Sequence, residues 1–373
     1  MKFTCTQENL HRGFGVVSHV ASRATSLPIL SNILMETQGN TLILSATNLE
    51  IGIQTKVRGR AAEEGRVVVP AKLISECVSL LPRENVSITQ EGENLKVQSG
   101  SFENKIHTVP ADDFPLLPVM EKQLVFTIYH SKLNEIVQAT LFAASFDDTR
   151  PELAGIYVRV VKGKLTAAAT NSYRLAEKSI EIPNQTIDVP GIIIPIRTMQ
   201  EVARILPLRH ADQGEEDTAE VVIGQHQVSC IIGDTVLVSR LIEGQYPAYQ
   251  DIIPSTYESL VTVERELLVQ ALRAASLFSK SGMNDISLTV LPEEQGVRLR
   301  AVNIHVGENT TVVPAKVEGK SDEVVLNWRY LAEGLESLST ESVHIEVTNS
   351  KIPVLLKPAG VKDHLYLIMP IRQ

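Results

Sequence analysis

The chain has 373 residues, which at about 150 residues per domain predicts two or three domains and excludes a single small module. Its composition, 43% hydrophobic and 21% charged, is that of a globular protein and excludes a disordered chain. The formal net charge is -9, from 44 acidic and 35 basic residues, and taken alone it argues against a protein that holds nucleic acid by bulk charge attraction.

The first strand and helix introduce a pattern that three regions of the chain repeat. A short strand runs into an amphipathic helix, and this element begins at Phe3, Phe126 and Val261. In the third copy, Leu268 and Leu272 fall at helical spacing. Each repeat is therefore predicted to pack one helix through an apolar face.

The later elements recur in the same order. An alternating strand ends in an Ala-Thr-Asn type triplet, with Asn48, Asn171 and Asn303 at intervals of 123 and 132 residues. An apolar strand and a helix follow, and in two copies Pro70 and Pro195 stand where that helix begins, which suits the fixed φ of proline. Paired strands with turns close each repeat.

These elements predict an α+β fold with three tandem repeats, each reading β-α-β-β-β-α and then further strands. Each repeat has two helices on one face of antiparallel sheets. We place the domains at 1–121, 122–254 and 255–373, because proline and polar residues interrupt the pattern at the two joints. Two chains would supply six repeats, and a head-to-tail contact whose rotation closes would make a ring.

The sequence has no feature of export or of an enzyme active site. The N-terminus lacks an apolar run with a cleavage site, and no segment approaches the roughly 20 apolar residues that span a bilayer, so we expect a cytoplasmic protein without membrane contact. Cys5, Cys77 and Cys230 are isolated in apolar runs, which favours burial over a metal site. There is no P-loop, GxSxG or HExxH motif, and no cofactor is expected.

Five segments carry a resemblance to a known family. They are SLPILSN at 26–32, TVPADDFP at 108–115, TNSYRLA at 170–176, LIEGQYPAY at 241–249 and YLIMPIR at 366–372. Their order and spacing resemble the bacterial sliding clamps, the beta subunits of the replicative DNA polymerase. The resemblance runs from end to end of the chain.

The resemblance implies a DNA-clamp fold in a ring-shaped, head-to-tail homodimer, with helices lining the hole and sheets outside. Duplex DNA would thread the hole without sequence preference. A short peptide motif would tether the polymerase catalytic subunit, the repair polymerases and the ATP-dependent clamp loader to the ring. The implied role is that of a processivity factor, which needs no catalytic residue.

Basic residues of the pore helices are candidate DNA contacts, because phosphate contacts bind duplexes without reading sequence. The resemblance adds Arg23 on the loop after the first helix and Arg150 on a loop that meets DNA in the family. The alternative for each is a solvated helix face. Two carboxylates, Asp147 and Asp148, stand beside one candidate and would oppose phosphate. The candidates are Arg12, Arg23, Lys72, Arg150, Arg197, Arg204, Arg273 and Lys280, with Arg329 as a further one.

The resemblance also implies an apolar peptide pocket between the second and third repeats and a dimer contact between the first and third. For Leu153, Leu175 and Ile368 the alternative is ordinary core. The implied pocket residues are Leu153, Thr170, Tyr173, Arg174, Leu175, Pro247, Ile252, Pro353, Ile368, Met369, Pro370 and Arg372. The implied dimer residues are Ile106 on an edge strand and Leu277 and Phe278 after a helix, which could instead be intramolecular core.

Two other classes of protein remain possible on the sequence alone. One is a catalytic repeat protein with its site at a joint, which would need clustered titratable side chains that the sequence does not offer. The other is a peptide-binding scaffold that never encircles DNA. The acidic loop at 210–220 has no assigned role.

Overall fold

The structure is a computed structural model that describes residues 1–21, 27–115, 117, 120, 123–147, 149–182, 187–208, 217–279 and 282–372. Two candidate DNA contacts, Arg23 and Lys280, lie outside the described residues, as do Asp148 and most of the acidic loop. The described part of the chain contains six α-helices and 25 β-strands.

The first repeat has two helices and nine strands in its described residues. They are β1 (Lys2–Thr6), α1 (Gln7–Ala21), β2 (Asn32–Gln38), β3 (Thr41–Thr47), β4 (Ile51–Arg58), β5 (Arg60–Glu63), β6 (Gly65–Pro70), α2 (Ala71–Ser79), β7 (Asn85–Glu91), β8 (Asn94–Ser99) and β9 (Phe102–His107). Helix α1 forms where Leu10, Phe14 and Val17 recur at helical spacing, and all three are buried.

The second and third repeats follow the same order with one strand fewer each. The second contains β10 (Leu124–Tyr129), α3 (His130–Thr140), β11 (Gly155–Val161), β12 (Lys164–Thr170), β13 (Arg174–Glu181), β14 (Val189–Pro195), α4 (Ile196–Ile205), β15 (Thr218–Ile223), β16 (Gln227–Ile232) and β17 (Thr235–Arg240). The third contains β18 (Ser259–Glu264), α5 (Arg265–Ser276), β19 (Asp285–Leu291), β20 (Gly296–Asn303), β21 (Gly307–Gly319), β22 (Glu323–Asn327), α6 (Trp328–Ser337), β23 (Ser342–Val347), β24 (Val354–Pro358) and β25 (His364–Ile368).

The chain divides into two compact units, residues 1–133 with 200–241 and residues 134–199 with 242–373. In the first unit, the described strands form a sheet of order β5-β1-β7-β8-β9 and a sheet of order β10-β15-β16-β17-β4-β3-β2-β6. In the second, they form one sheet of order β14-β11-β12-β13-β25-β24-β23-β18-β21-β20-β19-β22. Every pairing between these strands is antiparallel, as expected for an α+β fold.

The prediction of three strands between the helices of each repeat is wrong, because the described residues already form five in the first repeat and four in each of the others. The Asn triplets explain part of the difference. The Asn171 side chain accepts hydrogen bonds from the backbone N–H groups of Tyr173 and Arg174 at 3.0 and 3.1 Å, which turns the chain from β12 into β13. Asn48 makes the same turn between β3 and β4.

A close helix contact in the second unit yields a stability prediction. Gly334 in α6 lies so near the fully buried Tyr366 ring that a Cβ there would stand 2.2 Å from a ring carbon. Gly334→Ala should therefore lower the free energy of unfolding by about 1–3 kcal/mol. Gly15→Ala in α1 is the control, since nothing lies within 4 Å of its added Cβ, and it should stabilise by about 1 kcal/mol.

Urea denaturation at one protomer concentration measures both changes. Equal effects of the two substitutions would contradict the packing assigned to Gly334.

Two further observations bear on the class of protein. No helix in the described ranges is long and apolar enough to cross a membrane. Among the same residues, no group of three or more His, Cys, Asp or Glu side chains is placed to hold a metal ion.

Cys5 and Cys230 are buried, and burial raises the pKa of each thiol to about 12, which keeps both protonated.

Candidate functional site

The turn between β12 and β13 positions the first group of candidate pocket residues. Thr170 Oγ1 donates to the Arg174 carbonyl at 2.6 Å and accepts from the Ser172 N–H at 3.1 Å. Ser172 adopts a φ of 75°, which short polar residues in such turns tolerate. The turn leaves Tyr173, the one aromatic residue among the candidate pocket residues, 65% exposed.

Arg174 itself is buried by a set of contacts within the second unit. Its guanidinium donates to a carboxylate oxygen of Glu333 and to the Phe142 carbonyl. It also lies 4.5 Å from the ring centroid of Tyr330, a distance suited to a cation–π contact. Because a buried charge needs such partners, Arg174 holds α6 against the sheet and does not face solvent.

The C-terminal segment lies against the same turn. The backbone N–H of Met369 donates to the Tyr173 carbonyl at 2.9 Å, and that of Ile371 donates to the Val325 carbonyl at 2.7 Å. Met369 is half-buried against an apolar cluster that includes Leu175. The turn and the chain end therefore form one continuous surface.

A group of tyrosines supports this surface from below. Tyr157 and Tyr246 stack with ring centroids 5.0 Å apart, and the Tyr249 hydroxyl donates to Glu177 Oε2 at 2.6 Å. Burial raises the pKa of the Tyr246 and Tyr249 hydroxyls, so both rings stay neutral and pack as apolar groups. The floor of the candidate pocket is thus closely packed and largely apolar.

The candidate pocket residues separate into an open face and a buried base. Leu153, Leu175 and Ile368 are buried, and so are Thr170 and Arg174. The accessible members, exposed or half-buried, are Tyr173, Pro247, Ile252, Pro353, Met369, Pro370 and Arg372.

The candidate dimer residues lie at sheet and helix ends. Strand β9 is an edge strand of the five-stranded sheet, but the Ile106 side chain on it is buried. Leu277, which follows α5, is 74% exposed, and the half-buried Phe278 ring packs near Gly307. The Ile106 backbone is thus at the open edge while its side chain belongs to the core.

The candidate DNA contacts differ in their exposure and in the side chains that they contact. Arg12 is half-buried and donates to Asn9 Oδ1 at 3.3 Å, whereas Arg273 is exposed and lies 3.5 Å from a Glu336 carboxylate oxygen. Arg150 is exposed and donates to Glu152 and to Ser172, both at 3.0 Å. The remaining described candidates that are exposed are Lys72, Arg197 and Arg329.

Arg204 departs from the expected open position on its helix. Its guanidinium donates to Glu201 at 2.9 Å and to the carbonyls of Gly15 and Val16 at 2.7 and 2.5 Å. Glu201 is buried and also contacts His19 Nδ1 on α1. Arg204 therefore joins the end of α4 to α1. Its guanidinium is hydrogen-bonded to groups within the first unit.

Sequence reasoning did not identify Glu333, the partner of Arg174, or the apolar side chains near the third repeat's Asn turn. Ile304 is 85% exposed, and Val302 and Val306 are exposed beside it. The one available signal was the sequence AVNIHV itself, because three apolar residues around a turn are unusual in a solvated loop.

Three family models cover nearly the whole chain. They describe the N-terminal, central and C-terminal domains of the DNA polymerase III beta subunit and match residues 1–118, 127–248 and 250–372. Among curated relatives, the beta sliding clamp of Synechococcus elongatus is 32% identical, covering 100% of this chain and 99% of the relative. That of Pseudomonas putida is 30% identical over the full length of both chains.

Solved structures give the same result. The DNA polymerase III beta subunit of Thermotoga maritima superposes with a TM-score of 0.92 at 28% identity, covering 100% of this chain and 99% of that one. A DNA polymerase sliding clamp of Pseudomonas aeruginosa superposes with a TM-score of 0.92 at 29% identity over all of both chains.

Proposed function

We propose a mechanism from the premise that this chain belongs to the beta sliding clamp family, the beta subunits of DNA polymerase III. It is a DNA sliding clamp and a non-catalytic processivity factor, and it acts as a ring-shaped homodimer. The proposal concerns which residues close the ring, which face DNA and which bind the tethered proteins. It includes domain limits at 1–121, 122–254 and 255–373, and a cytoplasmic location beside the replicated DNA.

The action of the clamp is topological. A closed ring around duplex DNA cannot leave sideways, so a tethered polymerase stays at high effective concentration near the primer end. Weak phosphate contacts favour sliding, and a net charge of -9 is compatible with them because the charge of the pore need not follow that of the whole chain.

Ring closure is supported by the way the repeats already pair within each unit. In the first unit, β17 pairs with β4, the strand after the Asn48 turn. In the second unit, β25 pairs with β13, the strand after the Asn171 turn. The strand that follows the third Asn turn is β21, and the last strand of the first repeat is β9. We propose that β9 of one protomer pairs with β21 of its partner.

The same repeat fixes the register of this pairing. In the first unit, Thr235 of β17 opposes Thr55 of β4. Thr55 is the seventh residue after Asn48. Phe102 corresponds to Thr235, because each is the first paired residue after a two-residue turn. The residue seven after Asn303 is Thr310. Phe102 should therefore oppose Thr310 of the partner subunit.

The pore proposal rests on position and exposure. Lys72, Arg197, Arg273 and Arg329 are exposed on α2, α4, α5 and α6, and we propose that they contact phosphates without reading sequence. Arg12, Arg23, Arg150 and Lys280 remain proposed contacts from the resemblance. For Arg204 we propose a positioning role, because its guanidinium is already bonded to α1.

Partner binding is proposed at the accessible face of the pocket. The clamp loader and the polymerases, replicative and repair, would place apolar side chains of a short motif against it, since apolar anchors gain affinity by burial in a concave site. Met369 offers an adaptable wall and Tyr173 an exposed aromatic edge. The buried Leu153, Leu175, Ile368, Thr170 and Arg174 would shape the base.

The pocket assignment makes a prediction about peptide affinity. Tyr173→Ala with Met369→Ala should weaken binding of the polymerase-derived peptide about 10-fold or more, because both side chains are lost as contact area. Fluorescence anisotropy with a labelled peptide measures the change. Tyr257→Ala is the matched control, an exposed tyrosine of the same unit outside the pocket. Unchanged affinity in the double variant would refute the assignment.

Encirclement is tested with a covalently closed ring. Phe102→Cys with Thr310→Cys should form an interprotomer disulfide if the proposed register holds. The clamp is loaded onto nicked circular DNA and oxidised, and the DNA is then isolated at high salt and linearised. We expect retention on circles and loss from linear DNA. Equal retention on both would contradict encirclement, and failure to cross-link would contradict the register.

A further inference from the structure

A glutamate recurs at one position in the second helix of every repeat. Glu76, Glu201 and Glu333 are each the sixth residue of their helix, in α2, α4 and α6. Two of these helices lie at a joint, the place where the last strand of one repeat pairs with a strand of the preceding repeat. The first joint, within the first unit, contains α4, and the second joint, within the second unit, contains α6.

Each joint within the chain supplies partners for its glutamate. At the first joint, Glu201 contacts His19 Nδ1 of α1 and lies 2.9 Å from Arg204 Nε, and its side chain is only 2% exposed. At the second joint, a Glu333 carboxylate oxygen accepts a hydrogen bond from the Arg174 guanidinium. Because a carboxylate loses hydration when it is buried, a neighbouring guanidinium offsets that cost at both joints.

Glu76 has no such partner in the single chain. It is exposed, and its carboxylate makes no hydrogen bond or ion pair with any residue that the structure describes. Its neighbours one turn to either side, Leu73 and Leu80, are 51% and 78% exposed. These three side chains share one face of α2, since residues three and four apart are neighbours on a helix. The face is therefore apolar at both ends, with a carboxylate between them.

The proposed ring assigns an occupant to this face. At the first joint, the second helix of one repeat contacts the first helix of the preceding repeat. Ring closure places the partner's third repeat before the first repeat, so α2 should contact the partner's α5.

The positions that hold the cationic partners at the internal joints are apolar in the third repeat. His19 of α1 corresponds to Leu277, because each lies twelve residues after the first residue of its helix. Arg174 corresponds to Val306, because each lies three residues after the Asn of its turn. Leu277 and Val306 are both exposed in the single chain. The joint between protomers thus has no cation at either position.

Two other cations near this joint belong to the proposed pore. Arg273 takes in α5 the position of Gly15 in α1, eight residues after the first residue of the helix. A Cβ on Gly15 would meet nothing within 4 Å, although the Gly15 carbonyl accepts a hydrogen bond from Arg204 of α4. A side chain at this position therefore leaves its helix away from the neighbouring helix. Lys72, one turn before Glu76 on α2, is exposed and makes no ion pair with it in the structure.

We propose that Glu76 weakens the contact between the two protomers and so sets how readily the ring opens there. The inference rests on the proposed ring closure. Closing the ring brings the Glu76 carboxylate against Leu277 of the partner subunit and Val306 of the partner subunit, where no counter-charge offsets its lost hydration. The two joints within the chain are covalently continuous and carry paired glutamates. The joint between protomers instead carries an acid that favours the separation through which circular DNA enters.

The first test compares the dimer dissociation constant of two charge-removing variants by sedimentation equilibrium. Glu76→Gln should lower this constant about 10-fold and lengthen retention on nicked circular DNA, because a neutral amide costs less to bury at each of the two interfaces. Glu63→Gln is the matched control, since Glu63 is exposed on β5, at the opposite edge of the sheet from β9. It should leave the constant unchanged. An unchanged or higher constant for Glu76→Gln, or an equal change in the control, would overturn the proposal.

The second test asks whether Glu76 faces Leu277 of the partner subunit. Leu277→Arg places a cation at the position that His19 holds in α1. It should weaken the dimer about 5-fold less in the wild-type background than in the Glu76→Gln chain, as a double-mutant cycle measures. Equal weakening in both backgrounds would contradict the contact. The cross-link between Phe102→Cys and Thr310→Cys tests ring closure without either residue, so a cross-linked ring with no effect of Glu76→Gln would refute this inference alone.

Discussion

A chain carrying Leu277→Asp with Ile304→Asp is expected to be monomeric at concentrations where the wild type is a dimer. Both side chains are exposed in the single chain, at 74% and 85%, so the substitutions remove nothing from its core. They lie beside Phe278 and the start of β21, where the proposed ring contact forms.

The expected effect is large because a ring has two equivalent interfaces. Burying one leucine-sized side chain contributes about 1.5–3 kcal/mol, and each substitution acts once at each interface. A carboxylate placed in an apolar contact adds a desolvation cost. A loss of about 4 kcal/mol in total already raises the dimer dissociation constant about 1,000-fold.

Sedimentation equilibrium over a range of concentrations measures this shift. Phe146→Asp is the matched control, since Phe146 is 71% exposed and lies outside the proposed contact. It should leave the dimer intact. A double variant that remains dimeric would contradict the assignment of Leu277 and Ile304 to the dimer interface. A monomeric Phe146→Asp variant would show that the loss of dimerisation is not specific to this surface.

The fold was predictable from the sequence because its signals are local and recur. Apolar residues at helical spacing predicted α1 and α5, and the Asn triplets placed corresponding turns in three repeats. In the first repeat the strand count failed in part because β5 is short, with the sequence RAAE, and has no alternation that would mark it as a strand. Pairing with β1 forms it, and that contact is not local.

The candidate site was less predictable because burial and charge pairing depend on distant residues. Arg174 and Arg204 read as functional cations in the sequence, yet the first is paired with Glu333 and the second with carbonyls of α1. Each partner lies more than 150 residues away. Exposed apolar residues such as Ile304 were missed for the same reason, since only the fold shows which loops remain uncovered.

The stability of the chain is expected to fall as the pH drops from about 6.5 to about 4, and we expect His364 to contribute to this loss. Burial and the nearby Lys178 ammonium lower the pKa of the His364 imidazole from 6.5 to about 4, although Asp363 and Glu135 act in the opposite direction. The unfolded chain therefore binds a proton across this interval while the folded chain does not, so stability is full above pH 6.5 and lost towards pH 4.

The size of this loss follows from the shift. About 2.5 pKa units at 1.36 kcal/mol each give about 3 kcal/mol of unfolding free energy, complete when the folded imidazole is also protonated. His364→Leu removes the titrating group and should flatten the pH dependence by that amount. Urea denaturation between pH 4 and pH 7 at one protomer concentration measures how the free energy of unfolding depends on pH. A packing change that is independent of pH shifts every value equally and does not alter this slope.

The second arm of the experiment separates the two causes of the shift. Lys178→Met removes the ammonium but keeps the apolar stem, so the pKa of His364 should rise towards its ordinary value while remaining below it, because the imidazole stays buried. An NMR titration of the His364 ring resolves this directly. A pH slope that is equal in wild type and His364→Leu would show that the carboxylates, and not this histidine, govern acid unfolding.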